Sequence, residues 1–460
     1  MKEESAYFAG EIRPSYEQMH QWELYAANLE VEYTQSVEEG LDLEAYREVF
    51  ASVATLPNGE EKQKLANVLF EVISAAKMKE GYPYMEPSDL LTIQQMRRGT
   101  SVPLALDAET LPSKIHGAWM GRICGCMLGK TVEGMRTNEL VPFLQQTDNY
   151  PMHRYIQKSD LARVDLSQFR YDLANRCYAD TIDGMPVDDD TNYTVMGQLL
   201  IERYGRDFTP EQVAQLWLNT QSKDAYCTAE RVAFCNFVKG YKPPQSAIFQ
   251  NPYREWIGAQ IRADYFGYIN PGDPKLAAEM AWRDASISHV KNGIYGEMWV
   301  AAMLAVAACT TDIVRIIEGG LDEIPASSRL YEDVTFVLNA YRSGMDAHAC
   351  MDAIHAKYDE YTSHGWCHTN SNAMIVAAAL LYGEGDFGRS ICMAVETGFD
   401  TDCNGATVGS ILGMANGIDA IDAEWKEPFH DSLNTSIFGV GKQSIAACAE
   451  KTCAHVCTAK

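Results

Sequence analysis

Three aspartates in succession, Asp188, Asp189 and Asp190, open the stretch PVDDDTNYTVMG, Pro186 to Gly197. Carboxylates set so close repel one another unless cations sit among them. The Thr-containing run that follows begins a helix, and one aspartate is enough to cap it. Three invite a metal. Far along the chain, ETGFDTDCNGATVGSILGMANG, Glu396 to Gly417, places Asp400 and Asp402 on either side of Thr401, so that both could ligate one ion from a tight turn. Such oxygen donors are hard and suit Mg²⁺, Mn²⁺ or Ca²⁺ rather than zinc. No EF-hand loop accompanies them. A third stretch, KIHGAWMGRICGCMLGKTVEGM, Lys114 to Met135, carries Glu133 just beyond a helix. Alone, a glutamate there is most often a solvated surface residue.

What could bring these groups together is written in glycine. Gly117, Gly121, Gly125 and Gly129 recur every four residues and share one helix face, as do Gly405, Gly409, Gly413 and Gly417. Each interior glycine costs about 1 kcal/mol relative to alanine, so two such rows need a reason. Close backbone approach of two helices supplies one, and each row lies beside acidic groups. The segment HGWCHTNSNA adds His364, His368, Asn370 and Asn372, read as contacts to a sugar or phosphate, against ordinary core or capping roles. The two histidines lack a third soft ligand nearby, which disfavours zinc. In NPYREWIGAQIRADYFGYINPG, Tyr253, Trp256 and Phe266 could stack on a base, although packing residues look the same.

Together the three stretches resemble the ADP-ribosylglycohydrolases. Gly125-Cys-Met-Leu-Gly129-Lys-Thr-Val-Glu133 is similar to that family's G-D-A-L-G-x-P-x-E, Asp188-Asp189-Asp190-Thr191 to its T-D-D-T, and Asp400-Thr401-Asp402-Cys403 with the Gly405 row to its D-T-D-T and following glycine repeat. The resemblance implies an all-α fold with two Mg²⁺ ions (Mn²⁺ in their place) in a central cleft, hydrolysing the bond between ADP-ribose and an N- or O-linked acceptor. It implies that Asp188, Asp189 and Asp190 hold metal from one side and Asp400 and Asp402 from the other. Glu133 takes the place of the glutamate that positions or activates water.

The chain departs from the family at instructive places. Asp188 stands where the family has Thr, Cys403 where a Thr hydroxyl ligates metal, and Cys126 where an Asp is common. A thiol among aspartates should stay protonated and outside the coordination shell. The extra Asp188 carboxylate is then the candidate compensation. The phosphate-binding loop of the family is echoed only by Asn292 to Met298. Alternative readings are a hydrolase of small nucleoside-like ribosyl compounds, and a non-catalytic binding or structural member of the fold.

Composition frames these readings. The 460 residues carry a formal charge of −25, which argues against nucleic acid as partner. There is no apolar run long enough to span a membrane and no signal-like start, and the scattered, odd-numbered cysteines suit free thiols in the cytoplasm. Helical periodicity with no βαβ rhythm predicts an all-α chain in three parts: an acidic helical module over 1–110, a catalytic domain over 111–443 and a helix-prone tail over 444–460. The first part holds helices over Tyr16–Leu29, Tyr46–Leu56 and Leu65–Ile73. Its 20 acidic residues against 9 basic ones fit a solvated face first and a protein-partner surface second.

Overall fold

A computed structural model describes residues 14–99 and 104–457, and these are almost wholly helical. The strands among them are the short antiparallel pair Ser432–Leu433 and Gln443–Ser444. No helix of the described residues is long and apolar enough to cross a membrane. The chain divides into two compact units, one of residues 1–82 with 250–253, the other of residues 83–249 with 254–460.

The smaller unit is built from the helices Leu29–Glu38, Arg47–Ala54 and Glu60–Ala75 around Tyr25, Leu29, Leu43, Phe50, Ala66, Leu69 and Ile73. Its first predicted helix begins later than expected. From Gln21 to Asn28 the chain makes two 3₁₀ turns, and the α-helix starts at Leu29. The spacing of Trp22, Tyr25 and Leu29 survives because short turns also return side chains every three residues. In the third helix the buried face is Ala66, Leu69 and Ile73, while Leu65 and Val68 are 44% and 61% exposed. Lys62 helps to join that helix to the one before it, donating from Nζ to Ala54 O at 2.8 Å.

Residues 83–99 fold with the larger unit, although the sequence placed them before a boundary near 110. Glu86 forms an ion pair with Arg329 at 2.8 Å, Trp282 donates to Ser88 O at 2.9 Å, and Asp89 caps the helix Leu90–Met96. The tail joins the larger unit too, through Trp119 Nε1 to Thr452 Oγ1 at 3.0 Å and Gln198 Nε2 to Cys448 O at 2.9 Å.

At the centre of the larger unit lie helices that are buried all round: Lys291–Ala307, Thr369–Tyr382 and Thr401–Asn416. A helix without a polar face must be enclosed by others. Against Thr401–Asn416 runs Leu111–Lys130, buried almost continuously from Gly117 to Gly129. The two cross antiparallel along their glycines. A Cβ on Gly117, Gly121 or Gly125 would collide with the carbonyl oxygen of Gly413, Gly409 or Gly405 in turn, and one on Gly129 with the backbone of Thr401 and Asp402. The reverse additions collide with Gly125, Gly121 and Gly117. Backbone therefore touches backbone over four turns, leaving no space for a methyl group.

Substituting Gly125→Ala should therefore destabilise the fold by about 3 kcal/mol, the upper end of overpacking costs, because backbone rather than a yielding side chain is in the way. Thermal or denaturant unfolding measures this; a loss under about 1 kcal/mol would mean that the helices can part freely.

Candidate metal centre

The crossing fixes where the acids meet. Its last contact sets Gly129 against Thr401, whose hydroxyl donates to Gly129 O at 2.9 Å. The end of one glycine helix is thereby pinned to the start of the other. Just past the first helix, the chain turns through Thr131 to Gly134, and Tyr171 OH holds that turn by donating to Thr131 O at 3.1 Å and Glu133 O at 2.9 Å. Glu133 is left half-buried. Before the second helix, Gly398 and Phe399 take left-handed backbone conformations, φ +78° and +57°, which swing Asp400 inward. Asn372 secures that bend. Its Oδ1 accepts from Asp400 N at 3.2 Å and Asn404 Nδ2 at 2.8 Å, while its Nδ2 donates to His368 O and Trp366 O at 2.9 and 3.0 Å.

The third acidic element arrives on the helix Asp189–Tyr204. Asp188 is its cap, accepting from Asp190 N through Oδ1 at 2.9 Å, so the capping reading and the charge-cluster reading hold together. The other oxygen of Asp188 takes Lys130 Nζ at 2.6 Å. Asp190 is fully buried and bonded through Oδ1 to Arg122 at 2.9 Å. Arg122, 1% exposed, also binds Asp190 O, Ile261 O and Asp264. Asp264 in turn accepts from Ser410 on the second glycine helix.

Six predicted acids thus share one locality. Asp190 Oδ2 and Asp402 Oδ1 are buried and accept no hydrogen bond. The ligating atoms of Asp190, Asp402 and Cys403 lie within 4.8 Å of one another, as do those of Cys126, Asp188 and Asp190. Burial, then Asp400 and Asp188, pushes the Glu133 carboxyl up to about 7, against the pull of Lys130 and Arg176. Burial first and the neighbouring carboxylates second raise Asp189 and Asp402, while Asp400 is raised by burial against hydrogen bonds with Asp402 and Cys403. Asp190 is raised by burial despite Arg122. Without a cation, this site favours protons on its acids.

The donor chemistry fits a hard divalent ion. Asp190 and Asp402, from different elements, each keep a buried carboxylate oxygen that accepts no hydrogen bond, and an unpaired buried charge is costly unless something ligates it. Cys403 and Cys126 are protonated thiols, driven up by burial and then by the aspartates around them, and a thiol without its thiolate is a poor ligand. Asp188, the candidate compensation for Cys403, has both oxygens engaged, Oδ1 by Asp190 N and Oδ2 by Lys130.

The residues read as substrate contacts are buried and bonded to the protein itself. Asn370 and Asn372 are fully buried; Asn370 donates to Asp333 at 2.9 Å, and Asn372 holds the Asp400 bend. His364 accepts from Trp256 Nε1 at 3.1 Å, and His368 caps the helix Thr369–Tyr382 and stacks on Tyr358. Phe266 stacks on Phe208 in the core. Asn292 lies in a buried helix and bonds Glu255 and Leu330 N. The sequence reading passed over Arg122 and Lys130. A charged residue inside a row of glycines and small apolar residues was their available signal.

Comparison with known proteins places the chain. Residues 107–458 match the family model described as ADP-ribosylglycohydrolase. None of the curated proteins compared with the chain matches it. Among solved structures, one described as an ADP-ribosylglycohydrolase-related protein complex is 16% identical, covering 76% of this chain and 100% of its own, with a TM-score of 0.45.

The pH dependence of the metal effect follows from Glu133. A carboxyl whose folded pKa lies above its unfolded value stabilises the fold fully below the unfolded value, and that contribution is lost as pH rises through the folded one. For Glu133 the window runs from 4.5 to about 7. Metal must displace those protons, so it restores more stability at the alkaline end. The rise in melting temperature on adding millimolar Mg²⁺ to EDTA-treated protein should be larger at pH 7.5 than at pH 5.5. Equal or reversed shifts would disconnect the acids from the metal.

Proposed function

This chain belongs to the ADP-ribosylglycohydrolase family, and on that premise we propose that it hydrolyses the glycosidic bond of an N- or O-linked ADP-ribosyl group with Mg²⁺, or Mn²⁺ in its place. The observation that carries this reading is the meeting of Asp190 and Asp402, each offering an oxygen within 4.8 Å of the other and each holding a buried, unpartnered oxygen, beside a glutamate whose carboxyl is raised to about 7. A scaffold that only bound or braced would gain nothing from such a costly cluster.

Asp189, Asp190, Asp400 and Asp402, with Asp188 at their edge, would hold metal. When bound, metal supplies Lewis-acid polarisation and a more acidic water. The protein's own contribution lies at the open rim. Glu133 and Asp189 are half-buried, whereas Asp188, Asp190, Asp400 and Asp402 are each at most 5% exposed. The ribose therefore meets Glu133 first. As water adds to the anomeric carbon, the Glu133 carboxylate takes its proton, and the bond to the acceptor breaks with its electron pair leaving on the acceptor nitrogen or oxygen. A carboxyl near neutrality suits that transfer. The carboxylates behind it steady the positive charge that develops on the ribose. Asn372 is proposed to act through Asp400, whose bend it fixes, and His364 and His368 through the packing around that bend.

Glu133→Gln preserves shape but cannot accept a proton. It should lower kcat on an ADP-ribosylated substrate at least about 100-fold, within the usual range for a general base, while the Mg²⁺-induced rise in melting temperature persists. Wild-type turnover by this variant would remove Glu133 from the chemistry.

A further inference from the structure

We infer that Lys130 is a built-in cation of this centre: its ammonium replaces one of the two divalent ions the resemblance implies, so that the chain binds a single ion, between Asp190 and Asp402. The inference rests on the metal-dependent reading above and concerns how many ions that site holds.

The argument follows individual oxygens. Both oxygens of Asp188 are already engaged, Oδ1 capping the helix through Asp190 N at 2.9 Å and Oδ2 holding Lys130 Nζ at 2.6 Å. Asp190 gives Oδ1 to Arg122 at 2.9 Å and keeps only Oδ2. On the facing element, Asp402 keeps Oδ1. Asp190 and Asp402 come from opposite banks, and with Cys403 each offers one ligand atom within 4.8 Å of the others. One ion there, completed by Asp189, Asp400 and waters, satisfies both. Mg²⁺ in particular keeps several waters and needs few carboxylates.

A second ion would have to displace an ammonium that is well held. Lys130 is the last residue of Leu111–Lys130, where a cation is favoured by the carbonyl end of the helix. Its side chain is 20% exposed and that of Asp188 only 1%, and removing one partner from such a buried pair leaves a costly unpaired charge. The departures from the family motif surround one cluster, Cys126 beside Asp188 and Asp190, and Cys403 beside Asp190 and Asp402. Cys126 lies with Asp188 and Asp190, their ligating atoms within 4.8 Å, so a soft group stands where the family has a hard oxygen. A locality with thiols in place of hard donors at positions 126 and 403, a further carboxylate at 188 and an ammonium at 130 is arranged for a fixed cation. The rival account is that Lys130 swings away and two ions load.

Counting ions decides between them. The full-length protein, freed of metal with EDTA and dialysed against Mn²⁺, should hold one manganese per chain by elemental analysis, with the electron paramagnetic resonance spectrum of an isolated ion. Two per chain with an exchange-coupled spectrum would overturn the inference and leave the metal-dependent hydrolase standing. No bound manganese at millimolar concentration would instead defeat the reading of the site itself. Lys130→Gln should gain a second equivalent, bound at least tenfold more tightly than any second ion taken by wild type, whereas Lys130→Arg should stay at one. A folded Lys130→Gln protein that still takes only one ion would overturn the role given to Lys130. Should that variant not fold, the wild-type count and Lys130→Arg still decide: two ions in either overturns the inference.

Discussion

The contact on which the rest depends is a backbone-to-backbone one: Gly117, Gly121, Gly125 and Gly129 laid antiparallel along Gly413, Gly409, Gly405 and the Thr401–Asp402 peptide. Van der Waals attraction between bare backbones is strong only at short range, and glycine weakens the helices that carry it. The gain is positional. Because each turn of one helix is keyed to a turn of the other, the end of the first cannot drift from the start of the second. The turn that bears Glu133 and the bend that bears Asp400 are thereby tied to one point, through the Thr401 hydroxyl and Gly129 O. A site assembled from residues 272 positions apart has the rigidity of a local one.

Rigidity alone would not assemble six carboxylates. Two fixed cations, both on the first glycine helix, divide the charge. Arg122 lies deep and joins Asp190 to Asp264, and through Ser410 to the second glycine helix, so the same helix pair that positions the acids also neutralises part of them. Lys130 lies at the helix end and meets Asp188. Each cation takes up one oxygen of a carboxylate and leaves the geometry of the rest determined. Burial then raises the remaining acids, and Glu133, at the rim, is held at about 7.

Much of this was legible because it is written locally. Glycines every fourth residue, three adjacent aspartates and an Asp-Thr-Asp turn are short patterns whose physical cost demands an explanation, and the all-α architecture follows from helical periodicity. What was not legible depends on partners distant in sequence. Nothing near Asp188 announces that Lys130 will occupy its oxygen, and nothing near Asn372 announces that it will buttress Asp400. The polar cluster from His364 to Asn372 looks like a binding face in sequence, and its composition cannot distinguish that from a buried set of groups that bond chiefly to the protein itself. Leu65 and Val68 fail for the opposite reason: in a short helix the apolar stripe is narrow, and Ala66, Leu69 and Ile73 already fill it.

A fixed ammonium and a mobile divalent ion are not interchangeable, and the difference bears on how this centre works. An ion carries two charges, exchanges with solvent and brings waters whose acidity it raises. An ammonium carries one charge, cannot be lost to a chelator and donates hydrogen bonds without activating water. Placing the ammonium against Asp188 and leaving the open oxygens at Asp190 and Asp402 separates the two roles in space. One side of the cluster is made permanently neutral and structural. The other keeps unpartnered oxygens, where an exchangeable ion has the most to satisfy, and the raised Glu133 belongs to the same electrostatic neighbourhood as Asp402. The acidity of the cluster is thus retained where a reacting water would be handled, and cancelled where it would only strain the fold.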